Sequence, residues 1–171
     1  PILISWVFML IYIAIRFELK SGVVGLVALI HDVLLVIGTF ALLGKEVDLN
    51  FVAAVLTIIG YSINNTIVIF DRIRENLKSK KRDETYEEIA NLALLQSMRR
   101  SLNTSITTVL AVLVLYIVGS PAIKDFMLAL LIGLTVGTYS SLFLATPLWT
   151  FWKSREEKGD RAGKLASATG K

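Results

Sequence analysis

GYSINNTIVIFDRIREN, residues 60–76, is the stretch from which the fold of this chain can be inferred. It begins as an apolar helix, is interrupted by Ser62, Asn64, Asn65 and Thr66, and ends in alternating charges from residue 71 onwards. An unpaired amide or hydroxyl in an apolar medium costs about 2–7 kcal/mol on transfer scales. These side chains should therefore face a protein interior or a hydrated path rather than lipid.

The composition around this stretch predicts an all-α, polytopic membrane protein. Of 171 residues, 54% are hydrophobic, and the mean hydropathy of +0.65 is too high for an ordinary soluble domain of this length. The net charge of +4 then reports membrane orientation rather than nucleic-acid binding. With no cysteine and no HExxH, GxSxG or Walker A motif, we expect no enzymatic activity, cofactor or metal site.

Five apolar segments predict five transmembrane helices, at residues 2–15, 22–43, 49–70, 101–118 and 123–152. The first segment is shorter than the roughly 20 residues that a span needs, and the chain begins with Pro1. We therefore expect an earlier span and an external segment to precede it. No basic region precedes the first segment, which argues against a signal peptide.

Two polar regions complete the predicted organisation of the chain. The loop 72–100 places Thr85 three residues before Glu88, the spacing of a capping box, and predicts a short interfacial helix. Residues 153–171 form a polar, glycine-containing tail that we expect to be disordered.

The distribution of Lys and Arg predicts the orientation of these spans. Of the 18 basic residues, only Lys45 and Lys124 fall on one side of the predicted topology. Cytoplasmic loops carry the positive excess, so the loop 72–100 and the C-terminus should be cytoplasmic and the N-terminal end external.

Ionisable and amide side chains within the spans are the candidate functional groups. His31 and Asp32 lie near the middle of the second span, at about the depth of Asn65 in the third. An ionised carboxylate there costs about 2.5–3.5 kcal/mol on insertion scales, so Asp32 should be paired or hold its proton. The alternative is a structural role, with Asp32 and His31 fixing helix packing and Asn64 and Asn65 bonding between helices.

The start of the fourth span is unusually polar. Arg99 and Arg100 are followed by several hydroxyl side chains, and this density indicates a helix that lines a hydrated seam. The arginines could instead snorkel to the headgroups. In the fifth span, Gly133 and Gly137 are one turn apart and indicate a close helix contact.

These residues carry a resemblance to the SecF family of bacterial protein-export membrane proteins, whose comparable stretch reads GYSxNDTxVVFDRIREN. The similarity extends to ALIHDV in the second span, MRRSLNTSITT at the start of the fourth and GLTVGTYSS in the fifth. It implies one half of a transporter of the resistance-nodulation-division (RND) superfamily, with six spans and an external domain after the first. This chain would hold the last five.

The resemblance also implies partners and a mechanism in the bacterial cytoplasmic membrane. SecF pairs with SecD, separately or as one fused chain, and works with the SecYEG channel and the SecA ATPase on a translocating preprotein, with YajC and YidC as further candidate partners. It uses the proton motive force. No cofactor is implied.

The family's proton site consists of an acid in the third span and an arginine at the start of the fourth. Arg100 matches the arginine, but Asn65 stands where the family has aspartate. An amide cannot ionise, so either an Asp→Asn substitution traps the loaded state or another acid, Asp32 or one on SecD, carries the proton. We expect a supporting polar seam that is formed by His31, Ser62, Asn64, Thr104, Ser105 and Thr108. The alternative functions are a non-conducting scaffold for SecD and the channel, and an RND-type efflux protein for small molecules.

Overall fold

The computed structural model describes residues 19–80 and 84–156 and consists there of helices. Helix α1 spans Leu19–Leu42, α2 spans Leu49–Lys78 and α3 spans Tyr86–Val118. Helix α4 begins as Pro121–Ser140 and continues through one π-helical turn, Ser141–Ala145, to Glu156. Among the described residues, these four helices are long and apolar enough to cross a membrane. The predicted span 2–15 lies outside the described residues.

The helices run alternately up and down. We call the end of the bundle that holds Lys78 and Tyr86 the basic end, and the end that holds Lys45 and Pro121 the opposite end. Helices α2 and α4 occupy the centre, because each contacts all the other helices, while α1 and α3 lie on the flanks. At the opposite end, Lys45 Nζ donates to Asp125 Oδ1 at 2.7 Å and ties the α1–α2 connection to α4.

Local signals in the sequence set most helix starts. The Asp48 carboxylate accepts the Phe51 N–H at 2.8 Å and caps α2, and Ser120 and Pro121 begin α4. The predicted capping box is confirmed: Thr85 and Glu88 exchange side-chain and backbone hydrogen bonds at the start of α3.

The predicted loop 72–100 is mostly helical in the structure, and this is a correction. Helix α2 continues to Lys78, and the helix that starts after Thr85 runs on without a break into the fourth predicted span. No Gly or Pro interrupts residues 86–118, and Ile89, Ala90 and Ala93 pack on the bundle, so nothing stops the helix at the membrane surface. The predicted tail also begins later, since α4 extends to Glu156; residues 157–171 lie outside the described part.

Two apolar clusters fill the bundle. The cluster towards the opposite end includes Phe40, Phe51 and Leu130, and the cluster towards the basic end includes Phe70 and Trp149. Between them, the buried side chains on each central helix are polar: Ser62, Asn65 and Thr66 on α2, and Ser140 and Ser141 on α4. A polar layer therefore crosses the middle of the bundle.

Candidate functional site

Asp32 lies in this polar layer, on the buried face of α1. Residues 24, 28, 32, 36 and 40 are spaced four apart, and all are 0% exposed. The other four are apolar, so the carboxyl group of Asp32 sits in the middle of an apolar stripe and has no access to solvent. Its hydrogen-bonding capacity must be satisfied by neighbouring protein groups.

Two serine hydroxyls satisfy one oxygen of this carboxyl group. Ser62 Oγ on α2 donates to Asp32 Oδ2 at 2.7 Å, and Ser140 Oγ on α4 donates to the same oxygen at 2.8 Å. Gly137 makes the approach possible, because a Cβ there would lie 3.2 Å from Ser62 Cβ and 3.5 Å from Asp32 Oδ2. The carboxyl group thus joins the three helices α1, α2 and α4.

His31 contacts the other oxygen. Its Nδ1 lies 3.2 Å from Asp32 Oδ1, and about a third of its side chain is exposed. Among the described residues, no Lys or Arg forms a salt bridge with Asp32. The imidazole therefore connects a fully buried carboxyl group to the edge of the bundle, and it is the one basic side chain in contact with it there.

A second pair of hydroxyls lies next to the first, towards the basic end. Thr66 Oγ1 and Ser141 Oγ are 3.0 Å apart, and Ser141 Oγ also donates to the Gly137 carbonyl at 2.7 Å. Ser141 is the first residue of the π-helical turn. Single π-helical turns are frequent at functional sites, and Ser140 and Ser141, where this turn begins, are both buried in the bundle.

A third group of hydroxyls connects α3 to the same layer. Tyr61 donates to Ser105 Oγ at 3.0 Å, and Thr138 Oγ1 lies 2.8 Å from the same oxygen. Ser105 is buried, whereas Tyr61 and Thr138 are half-buried. This cluster fixes the depth of α3 against α2 and α4.

Asn65 lies one turn beyond Ser62 towards the basic end and is 4% exposed. Its Nδ2 is buried and has no hydrogen-bond partner in the described part of the chain. An unpartnered buried amide nitrogen is unusual and costs roughly 1–3 kcal/mol. Among the described residues, Asn65 Nδ2 therefore has no acceptor within hydrogen-bond distance.

The remaining predicted site residues lie apart from Asp32. Arg100 is exposed at the basic end, where it lines a cavity of about 520 Å³ together with Val68 and charged residues of α2. Thr104 is exposed and donates to the Arg100 carbonyl at 2.9 Å, Thr108 donates to the Thr104 carbonyl at 2.8 Å, and Asn64 is exposed. The predicted seam is thus divided between a buried part and an exposed part.

Ser62 and Ser105 form the buried part and half-buried His31 contacts Asp32 at its edge, and the structure adds residues that the sequence does not assign to the site. These are Tyr61, Thr66, Thr138, Ser140 and Ser141. The GTYSS pattern at 137–141 was a signal for the last three, but it also fits a packing surface. Within residues 19–80 and 84–156, no three His, Cys, Asp or Glu side chains gather as metal ligands.

Comparison with known proteins gives a consistent result. Residues 1–155 match the family described as "Protein export membrane protein SecD/SecF, C-terminal". The chain is 52% identical over 162 residues to the protein translocase subunit SecF of Alicyclobacillus acidocaldarius, which covers 91% of this chain and 52% of that protein. It is 42% identical over 163 residues to the protein translocase subunit SecDF of Thermus thermophilus, covering 95% of this chain and 22% of that protein.

A solved structure agrees with these relatives. A crystal structure of SecDF in a super-membrane-facing form superposes with a TM-score of 0.88 at 41% identity, covering 94% of this chain and 22% of that chain. The chain therefore spans about half the length of the SecF relative and about a fifth of the SecDF relative that it matches.

Proposed function

The chain belongs to the SecD/SecF family of protein export membrane proteins, and we propose that it forms the transmembrane part of a SecF subunit or of a fused SecDF chain. In this role it uses the proton motive force to promote protein translocation across the bacterial cytoplasmic membrane. The relatives named protein translocase subunit SecF and SecDF support this assignment.

The observation that carries the proton-coupled part of the proposal is the environment of Asp32. It is a fully buried carboxyl group at mid-helix that accepts two hydroxyl hydrogen bonds and has an imidazole as its one basic contact in the described chain. Intramembrane carboxyl groups of this kind are typical of proton relays. We therefore assign Asp32 as the proton-carrying residue of this chain.

The neighbouring hydroxyls suit a group that gains and loses a proton. Ser62 and Ser140 donate to Asp32 Oδ2, but a serine hydroxyl can also rotate and accept. The same pair can therefore solvate the ionised carboxylate and receive the O–H of the protonated acid, with no movement of the backbone. His31, at the edge of the bundle, would pass the proton to or from Asp32.

Asn65 and Arg100 complete the proposed site in supporting roles. Asn65 Nδ2 has no hydrogen-bond partner in the described part of the chain, and an amide at this position cannot exchange a proton. Arg100 lies at the basic end, where its positive charge would favour release of a proton towards that side without contacting Asp32. Asn64, Thr104, Ser105 and Thr108 would support a water path along α2 and α3.

The distribution of basic residues supports a proposal for the membrane orientation. We propose that the basic end is cytoplasmic, as is the C-terminus, and that the N-terminal end of the chain faces the exterior. The bundle would form one half of an RND-type arrangement of spans, with SecD as the other half.

The exposed polar face of α3 supports SecD as the direct partner. Asn64 on α2 and Asn103, Thr104 and Thr107 on α3 are exposed, and they lie in helices that are long and apolar enough to cross a membrane. Amides in contact with lipid are costly, so we propose that spans of SecD cover this face and contribute acids to the proton path. The wider partners would be SecYEG, with YajC and YidC, acting on a translocating preprotein. The chain itself would catalyse no covalent reaction.

A second candidate function is a non-conducting scaffold for SecD and the channel. Asn65 favours it, since an amide cannot exchange a proton. The two candidates differ in whether translocation responds to the proton gradient, and a carboxyl group placed at position 65 tests whether the acid belongs there instead of at Asp32.

The test compares full-length proteins with Asn65 and with Asn65→Asp in inverted membrane vesicles that lack endogenous SecDF. We expect both to support gradient-dependent preprotein translocation, because Asp32 carries the proton in each. If only the Asp form stimulates translocation, the acid belongs at position 65 and our assignment of Asp32 is wrong. If neither responds to the gradient, the scaffold function is correct.

A further inference from the structure

The cavity at the basic end, between the ends of α2 and α3, has features that the proton site does not explain. It measures about 520 Å³ and is lined by four basic side chains, Arg72, Arg74, Lys78 and Arg100, against the acids Asp71 and Glu75. The basic residues come from both helices. Positive charge is thus gathered around an open volume rather than spread over the surface.

One of these cations has a structural task. Arg72 forms a salt bridge with Glu75 one turn along α2, and its Nε donates to Gln96 Oε1 on α3 at 2.8 Å. Asn76 Nδ2 also donates to Gln96 Oε1, at 3.2 Å. These contacts hold the two walls of the cavity together and neutralise one basic and one acidic group.

Lys78 and Arg100 remain on opposite walls. In the part of the chain that the structure describes, neither side chain forms a salt bridge or a hydrogen bond, although both line the cavity. Besides the paired Arg72 and Glu75, three basic side chains and one acid, Asp71, line this volume, so it keeps a net positive charge that a bound anion would offset. The cavity therefore has the chemistry of an anion site.

The position of the cavity along α2 indicates which anion is available. Helix α2 has 30 residues, so it is about 45 Å long, whereas the hydrocarbon core is about 30 Å thick. If the core begins near Leu49, it ends about 20 residues later, close to Val68, the apolar residue of the cavity lining. Asp71 to Lys78 then lie at the level of the lipid headgroups.

We propose that this cavity binds a phosphate group, either that of an anionic phospholipid or a free phosphate from the adjoining aqueous phase. Lys78 and Arg100 contact the phosphate oxygens from opposite sides. Basic pockets between membrane helices on the cytoplasmic side commonly hold anionic headgroups, and the depth of this cavity favours the lipid. The proposal concerns binding and does not depend on proton coupling.

Native mass spectrometry of the full-length complex tests the proposal. Before the measurement, the complex is reconstituted in one of three media: phosphatidylglycerol bilayers, phosphatidylcholine bilayers, or phosphatidylcholine bilayers with inorganic phosphate in the buffer. We expect retention of phosphatidylglycerol and not of phosphatidylcholine. Lys78→Gln should weaken retention about fivefold, the factor that corresponds to about 1 kcal/mol per basic residue near an anionic surface. Lys78→Arg should retain binding.

Arg99→Gln is the matched control, because Arg99 is exposed on the same turn of α3 and does not line the cavity. It should leave retention unchanged. If inorganic phosphate binds in phosphatidylcholine and Lys78→Gln weakens this binding, the site is supported and its ligand is free phosphate. Equal losses in Lys78→Gln and Arg99→Gln, or no retained anion in any arm, would overturn the proposal. Binding of an acidic protein that depends on Lys78, without any binding of lipid or phosphate, would also overturn the proposal.

Discussion

At the scale of single residues, the central feature is a carboxyl group in an apolar stripe. Asp32 occupies a position of α1 at which Val24, Ala28, Val36 and Phe40 pack against the central helices. A carboxylate at such a position is tolerated only if other groups replace its hydration. Ser62 and Ser140 do so from two different helices, so the charge state of Asp32 is coupled to the packing of α1, α2 and α4.

Removing one of these hydroxyls should destabilise the bundle. Ser140→Ala leaves Asp32 Oδ2 with one donor fewer in a buried site, and we expect a cost of about 1–3 kcal/mol. The measurement is thermal unfolding of the purified complex. Thr135→Ala is the control, since Thr135 is exposed on the same helix and donates to its own backbone at Leu131. Equal stability of the two variants would contradict the role of Ser140.

The sequence predicted part of this site. Depth within the second span singled out Asp32, and polarity within the third singled out Ser62 and Asn65. Ser140 was not predicted as a partner because its contact depends on how α4 is rotated about its axis, which no local pattern specifies. Arg100 was expected near the buried site, but it lies on the exposed side of α3.

At the scale of elements, close contact between α2 and α4 positions the polar layer. A Cβ at Gly133 would overlap the side chain of Ile58, so the helices approach to a distance that only glycine permits. The GLTVG pattern predicted such a contact, and the structure confirms it. Gly137 then lies beside Ser62 and Asp32 one turn further along α4.

Gly133→Ala should therefore separate the two central helices. We expect a loss of about 1–3 kcal/mol from overpacking, together with weaker gradient-dependent translocation. Gly60→Ala provides the comparison, because a Cβ at Gly60 on α2 would have nothing within 4 Å of it and alanine favours the helix. A Gly133→Ala complex as stable as the Gly60→Ala complex would show that the contact is not tight.

The start of α2 should respond to pH. The Phe51 N–H and the Asn50 side chain hold the pKa of Asp48 below its ordinary value of 3.8. A depressed pKa means that the cap stabilises the helix above about pH 4 and that this contribution is lost as the pH falls through the folded-state pKa.

Hydrogen exchange at the Phe51 amide, corrected for intrinsic rates, measures this effect. Protection should fall below about pH 4 in the native protein. It should stay independent of pH in Asp48→Asn, because asparagine also caps helices but does not titrate. The same pH dependence in both proteins would rule out the Asp48 cap as its cause.

Helix ends show what local sequence could and could not specify. The capping box at Thr85 and Glu88 was visible in the sequence and is present. The sequence does not predict that α3 continues beyond the span, because charged residues such as Arg99 and Arg100 indicate the boundary of a span. Charge marks where a helix leaves the hydrocarbon, but it does not end the helix.

At the scale of the whole molecule, hydropathy predicted the class and the alternation of the described helices. The composition could not show that α2 and α4 are central, since all the spans are similarly apolar. Nor could it separate the buried hydroxyls from the exposed face of α3. That face carries exposed polar side chains within a helix long enough to span a membrane, and the proposed contact with SecD would account for them.

The role of Asp32 is best tested by gradient-dependent preprotein translocation with the full-length complex carrying Asp32→Asn. Inverted vesicles with and without a proton gradient separate the gradient-driven part from the ATP-driven part. Asp125→Asn is the matched control, because Asp125 is an exposed acid at the opposite end. We predict that Asp32→Asn abolishes the gradient-driven part and that Asp125→Asn retains it. Full gradient-driven translocation by an assembled Asp32→Asn complex would contradict the assignment of Asp32 as the proton carrier.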